Sequence, residues 1–121
     1  RFCPFPGGRG EPDCAAITAA IEACTGIVKT ASFGKPDPIM LTEALAGFDV
    51  APGECVMVGD RLQTDIRMAI DGGMSSALVL TGEATADDAR ALPPPDRPTY
   101  VLDRVDRLLP QSVWDELGWS D

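Results

Sequence analysis

Residues 55–66, with the sequence CVMVGDRLQTDI, decide the fold of this chain. The apolar run at residues 55–58 is typical of a strand that is buried on both faces of a parallel sheet. Gly59 and Asp60 then end the strand. Residues 65–71 predict a short helix, because their apolar positions recur at helical spacing. The stretch therefore predicts a strand, a turn with a carboxylate, and a helix.

The same alternation continues downstream of this stretch. A second apolar run, SALVL at residues 76–80, follows at the distance that a parallel crossover needs. Thr85 and Asp88 form a capping-box pattern for another helix, and TYVL at residues 99–102 predicts a third strand. This alternation of strands and helices, with two further helices upstream, predicts an α/β fold with a parallel sheet and right-handed crossovers.

The upstream part of the chain has a different pattern. Residues 1–12 are rich in proline and glycine, which predicts a loop. Two helices are expected next, capped by Asp13 and Asp37. The first carries an apolar stripe, and the stripe of the second is expected to face the core. The two stripes are Ile17, Ala20, Ile21 and Cys24, and Leu41, Ala44, Leu45 and Phe48.

Composition excludes several classes of function. The 121 residues suit one domain, and 10 basic against 19 acidic residues give a net charge of −9. Such a surface repels nucleic acids and anionic lipids, so neither is expected as a partner. The chain has no histidine, which excludes a histidine base and every histidine-ligated metal site. No apolar run reaches the roughly 18 residues of a membrane span.

The four cysteines are Cys3, Cys14, Cys24 and Cys55. None of them belongs to a C-x-x-C pair, which argues against a zinc ribbon or a thioredoxin-like motif. Four free thiols in a reducing cytoplasm are therefore expected.

Two carboxylates are candidates for a metal site. In an open parallel sheet, ligands bind beyond the carboxyl ends of the strands. Asp60 follows a predicted strand directly, and Asp65 lies in the first turn of the next helix. Two carboxylates so placed suit Mg²⁺, which takes few protein carboxylates, several waters and substrate phosphate. The alternative is that Asp65 complements the helix dipole and Asp60 is a turn residue.

Lys35 is the candidate cation of the site. It is one of only two lysines and lies in the rigid loop Gly-Lys-Pro just before a helix. A compact ammonium there could meet phosphate or orient a carboxylate. The alternative is a solvated loop lysine.

Several motifs occur together and resemble a known family. They are GKPDP at residues 34–38, VMVGDRLQTDI at 56–66, ALVLTG at 77–82 and YVLD at 100–103. The combination resembles the C-terminal half of the haloacid dehalogenase (HAD) superfamily, in its capped nitrophenylphosphatase-like (class IIA) branch. The resemblance implies a parallel-sheet, Rossmann-like HAD core with a remnant of the cap domain at the N-terminus. Residues 1–30 would then be the end of the cap and its connection, and residues 31–121 the C-terminal part of the core.

The resemblance also implies roles for the candidate residues. Lys35 matches the third motif, which stabilises the nucleophilic aspartate and the phosphoryl group. Asp60 and Asp65 match the fourth motif, which holds Mg²⁺. The implied activity is Mg²⁺-dependent hydrolysis of small phosphorylated metabolites in the cytoplasm.

One family element is missing from the sequence. The nucleophile motif D-x-D occurs nowhere in these 121 residues, and the chain begins with Arg1. The expectation is a C-terminal piece of a longer phosphatase that is inactive alone. Two alternatives remain: a non-catalytic binding or assembly module (a pseudophosphatase), and a split enzyme. In the isolated piece, the strand at residues 55–58 would lack a neighbour and expose an edge to another copy or to the missing half.

Overall fold

A computed structural model describes residues 2–4 and 10–120, with side chains from Pro12 onward. The chain divides between Ser32 and Phe33 into two compact units, which are described separately. No helix in the described part of the chain is both long and apolar enough to cross a membrane.

The first unit begins with a β-hairpin. Strands β1 (Phe2–Pro4) and β2 (Gly10–Pro12) pair antiparallel, with Phe2 opposite Pro12. The prediction of a loop over residues 1–12 is therefore wrong for the described parts of that range. The physical reason is that strand pairing is made by backbone hydrogen bonds, and residues 2–4 and 10–12 carry no alternating pattern of apolar and polar residues that would predict it.

Helix α1 (Cys14–Thr25) follows with the expected caps. The Asp13 carboxylate accepts the N–H of Cys14 at 2.6 Å, which satisfies one of the free donors of the first turn. Gly26 ends the helix in the left-handed conformation, with φ of 69°, and donates its N–H to the Glu22 carbonyl. The helix has no buried residue, and its apolar stripe is exposed at Ile17 and Ile21.

The thiols of Cys14, Cys24 and Cys55 are free. The expectation for Cys3 concerns a side chain outside the described residues.

The second unit begins with a short helix, α2 (Ile39–Leu45), one residue later than expected. Asp37 still caps it, because its carboxylate accepts the N–H of Ile39 at 3.0 Å. Leu41 is buried and Leu45 half-buried, but Ala44 is exposed and Phe48 is 70% exposed, so the predicted stripe is wrong at these two positions. Phe48 lies outside the helix because the helix stops at Leu45 and the backbone at Ala46 leaves helical geometry.

Three parallel strands form the sheet of this unit. They are β3 (Val56–Gly59), β4 (Ser75–Val79) and β5 (Tyr100–Leu102), in the spatial order β3-β4-β5. The parallel α/β architecture is confirmed. Burial of the first strand on both faces is wrong: β3 lies at an edge of the sheet, and Val56 is 43% exposed. Only the central strand β4 is buried along most of its length.

Helices connect the strands and supply the core. Helix α3 (Arg67–Asp71) lies between β3 and β4, α4 (Ala86–Ala91) between β4 and β5, and α5 (Gln111–Leu117) after β5. The predicted capping box at the start of α4 is confirmed. The core cluster consists of the buried Ile66, Leu78 and Ala89 with the half-buried Leu62, Ile70, Leu80 and Ala84. This core lies beside the loops that follow β3 and β4 and gives them a rigid support.

Candidate active site at the carboxyl end of the sheet

Asp60 is held by the loop that follows the neighbouring strand. Its Oδ2 accepts the N–H of Glu83 at 2.9 Å, and its main-chain carbonyl accepts the N–H of Ala84 at 3.1 Å. Within the part of the chain that the structure describes, Asp60 Oδ1 has no hydrogen-bond partner. The carboxylate is thus fixed through one oxygen and keeps the other for a ligand.

Asp65 is reached through a π-helical turn, Leu62–Ile66, that the sequence analysis did not predict. The Arg61 carbonyl accepts the N–H groups of both Asp65, at 3.0 Å, and Ile66, at 3.2 Å. In return, Asp65 Oδ2 accepts the Arg61 N–H at 3.1 Å. The expected start of an α-helix at Asp65 is therefore wrong, because this exchange widens the first turn and α3 begins only at Arg67. Single π-turns are frequent at functional sites.

Lys35 contacts Asp65 directly. Its Nζ lies 2.7 Å from Asp65 Oδ1, although the two residues are far apart in the sequence. Asp65 is only 2% exposed, whereas the Lys35 side chain is 44% exposed. A buried carboxylate is costly unless it is paired and hydrogen-bonded, and here the ammonium and the Arg61 N–H supply both.

Gly59 makes the position of Asp65 possible. A Cβ at residue 59 would overlap Cβ and Cγ of Asp65. The Asp65 carboxylate therefore packs directly on the end of β3, next to the residue that precedes Asp60. The structure brings all three predicted site residues to the same end of the sheet, with Lys35 paired to Asp65.

Two charged residues of this region were not predicted from the sequence. Arg61 and Glu83 form an ion pair, with Nε 2.8 Å from Oε2, that joins the loops after β3 and β4. Arg61 lies inside the quoted stretch, but nothing in the spacing singles it out. Glu83 follows the recognised Thr-Gly turn directly, and adjacency to that turn is the only signal that could have identified it.

The carboxylates fit a partial magnesium site. Mg²⁺ prefers oxygen ligands and is commonly held by one or two carboxylates, together with waters and phosphate. Asp60 offers a free oxygen, and Asp65 lies against the same strand end. The described residues contain no group of three or more carboxylate, thiol or imidazole side chains that could hold a metal by themselves. The chain therefore fits Mg²⁺ as a contributor of ligands and not as a complete cage.

Comparisons with known proteins identify the family of the chain. The family model described as HAD-hyrolase-like matches residues 32–108. The chain is 34% identical over 113 residues to a dihydroxyacetone phosphatase of Corynebacterium glutamicum (strain R), which covers 93% of the chain and 39% of that protein.

Solved structures give the same result. A 4-nitrophenylphosphatase from Thermotoga maritima matches with a TM-score of 0.75 and 37% identity, over 88% of the chain and 40% of that protein. A glycerol phosphate phosphatase from Mycobacterium tuberculosis, in complex with magnesium, matches with a TM-score of 0.66 and 40% identity. That match covers 83% of the chain and 29% of the other protein.

The chain thus spans 29–40% of the length of these three relatives. Over that length it shares their fold, and the family model covers more than half of its residues. The chain belongs to the HAD-like hydrolases, in the nitrophenylphosphatase-like (class IIA) branch.

Proposed function

We propose that this chain is the metal-binding and charge-stabilising part of a Mg²⁺-dependent phosphatase that acts on small phosphorylated metabolites in the cytoplasm. The observation that carries the proposal is the contact of Lys35 with the buried Asp65, at the strand end where Asp60 presents a free oxygen. The relatives are phosphatases by name, among them a dihydroxyacetone phosphatase and a glycerol phosphate phosphatase, which supports a small phosphorylated substrate.

Asp60 and Asp65 are proposed to hold the metal ion. Bound Mg²⁺ supplies charge neutralisation for the transferring phosphoryl group. Asp60 would bind through Oδ1, since its other oxygen is occupied by the Glu83 N–H. Asp65 supports the same site from a fixed position on Gly59. Phosphoryl transfer depends mainly on positioning and on charge stabilisation, and these residues are built for both.

Lys35 is proposed to stabilise negative charge. Its ammonium is anchored by Asp65 and is still partly exposed, so phosphate oxygens can approach it. A preorganised cation at the place where charge develops lowers the barrier, because no reorganisation is needed during the reaction. The chemistry does not require histidine, because in this family aspartates carry the covalent and proton-transfer steps.

The remaining catalytic groups are proposed to lie outside these 121 residues. The chain covers 29–40% of its relatives, and the D-x-D motif of the family is not in its sequence. We propose that residues 1–30 end a cap domain and that residues 31–121 are the C-terminal part of the catalytic core. The chain alone is then expected to release little or no phosphate.

The test is phosphate release by the complete protein that contains this chain. Release is measured over a panel of small phosphomonoesters while Mg²⁺ is titrated, for the parent and for Asp60→Asn. Asp49→Asn, an exposed loop substitution, is the matched control. We expect Mg²⁺-dependent release from the parent and the control and almost none from Asp60→Asn. No release from any of the three proteins, or equal release from all of them, would contradict the proposal.

A further inference from the structure

The loop after β4 makes two backbone hydrogen bonds to Asp60. The backbone N–H of Glu83 binds the Asp60 carboxylate, and the N–H of Ala84 binds the Asp60 carbonyl. The two donors belong to the consecutive residues Glu83 and Ala84, so the loop holds both the side chain and the main chain of Asp60. These two bonds restrain the rotation of the carboxylate and leave Oδ1 without a hydrogen-bond partner among the described residues.

Gly82 brings the loop close enough for these bonds. A Cβ at residue 82 would overlap Cβ, Cγ and Oδ2 of Asp60. The overlap involves a short side chain that is itself held by a hydrogen bond from the Glu83 N–H, while its backbone is held by the N–H of Ala84, so it has little freedom to move aside. Any side chain at residue 82 must therefore push the carboxylate out of position or pull the loop away from it.

Glu83 ties the loop to the other side of Asp60. Its carboxylate pairs with the guanidinium of Arg61, the residue that follows Asp60. The Glu83 residue thus contacts Asp60 through its backbone and the neighbour of Asp60 through its side chain. The Arg61 side chain is 34% exposed and the Glu83 side chain 53% exposed, so this ion pair adds only a modest restraint to the stronger backbone contacts.

We propose that Gly82 and Glu83 are positioning residues for the metal-binding carboxylate of Asp60. The inference rests on the proposed function, since it concerns the same magnesium site. In this proposal both residues act through the orientation of Asp60, which they contact by a backbone hydrogen bond and by close packing. Residues that orient metal ligands in this way typically change metal affinity or activity by about 10–100-fold when they are replaced.

The experiment compares Gly82→Ala and Glu83→Gln in the complete protein that contains the chain. The matched controls are Gly53→Ala, where a Cβ meets open space, and Glu116→Gln on the exposed side of α5. Two quantities are measured: Mn²⁺ binding by electron paramagnetic resonance, and the Mg²⁺ concentration that gives half-maximal phosphate release. Circular dichroism and thermal unfolding show whether each variant is folded.

We expect Gly82→Ala to weaken Mn²⁺ binding about 10–100-fold. Glu83→Gln keeps the backbone donor and removes only the ion pair, so about a two- to fivefold loss is expected. Excess Mg²⁺ should restore much of kcat, which a general loss of structure would not allow. If Gly82→Ala does not fold, the result for Glu83→Gln decides alone.

Asp60→Asn in the same series separates the two proposals. If it leaves Mn²⁺ binding unchanged, the proposed metal site itself is wrong. If it abolishes binding while folded Gly82→Ala and Glu83→Gln bind as the parent does, only the positioning role is wrong.

Discussion

At the scale of single residues, the site depends on a buried carboxylate with two partners. Asp65 is almost fully buried, and its two oxygens face the Lys35 ammonium and the Arg61 N–H. The motifs identify Lys35 and Asp65 as candidates. Their contact could not be predicted, because an ion pair between distant segments leaves no spacing pattern in the sequence.

Replacing Lys35 tests the importance of this ion pair for stability. We expect Lys35→Met to lower the free energy of unfolding by about 1–3 kcal/mol, because Asp65 Oδ1 would stay buried without a partner. Urea denaturation of the chain measures the change. Lys29→Met, at the other lysine of the sequence, is the control and should stay within about 0.5 kcal/mol.

A second substitution shows whether the loss of stability in Lys35→Met comes from the unpaired Asp65 carboxylate. Asp65→Asn in the Lys35→Met background should recover part of the loss, since a neutral amide is less costly to bury than a carboxylate. Equal stability of the Lys35→Met and Lys29→Met chains would show that Asp65 does not need the ammonium.

At the scale of elements, α4 shows how completely a local pattern can specify structure. The Thr85 hydroxyl accepts the N–H of Asp88, and the Asp88 carboxylate accepts the N–H of Thr85. The Thr85 hydroxyl also donates to that carboxylate. All these contacts lie within one turn, so four residues of sequence are sufficient to predict them.

The capping box makes the stability of the chain depend on pH. Hydrogen bonds from the Thr85 hydroxyl, and then from its backbone N–H, lower the pKa of Asp88. A folded pKa below the unfolded one adds stability above the unfolded value, about 3.9 for Asp. This stability disappears as the pH falls through the folded pKa. We therefore expect Asp88→Asn to be less stable than the parent at neutral pH and the difference to vanish in acid.

The measurement is urea denaturation at a series of pH values from neutral to strongly acidic. Asp49→Asn is the control, because its carboxylate lies in an exposed loop. A stability difference between Asp88→Asn and the parent that stays constant across the series would refute the expected linkage.

The Trp114 side chain anchors helix α5 to the rest of the unit. Trp114 is 3% exposed, and its Nε1 donates to the Asp106 carbonyl at 3.0 Å. The Arg107 guanidinium lies 4.9 Å from the centre of the Trp114 ring, and the Trp119 ring packs edge-on against the same Trp114 ring. The last helix is thus held by a polar and an aromatic contact at the same residue.

Phenylalanine substitutions separate the two tryptophans. Trp114→Phe keeps an aromatic ring but removes the indole donor, so a loss of about 0.5–1.5 kcal/mol is expected from the missing hydrogen bond alone. Trp119→Phe should cost less, because Trp119 is 47% exposed. Thermal unfolding of both variants checks the order, and a larger loss for Trp119→Phe would refute the assignment.

At the scale of the whole molecule, β3 and β5 are the two edge strands of the sheet among the described residues, and β3 is the one next to the candidate site. Strand β3 pairs with β4 on one side only within the described residues, and Val56 on it is exposed. Parallel strands are normally covered on both faces, and a free strand edge is a template for pairing. The arrangement is the one expected for a chain that associates through β3.

A charge on the edge strand tests this expectation. We expect the isolated chain to self-associate with rising concentration and Val56→Lys to reduce the association, because lysine on an edge strand opposes pairing. Light scattering after size-exclusion chromatography gives the mass. Val105→Lys, at an exposed residue outside the sheet, is the control. A parent chain that stays monomeric throughout would contradict the expectation.

The features that depend on neighbours along the chain could be predicted from the sequence. The caps at Asp13 and Thr85 and the parallel pairing of the strands follow from local hydrogen bonding and from short-range apolar patterns. The π-turn before α3 is also local, but the exchange of hydrogen bonds between Arg61 and Asp65 that widens it leaves no spacing pattern in the sequence. The exposure of β3 and the contact of Lys35 with Asp65 were set by the tertiary structure, because both arise where separate segments meet and depend on the burial and charge of both partners.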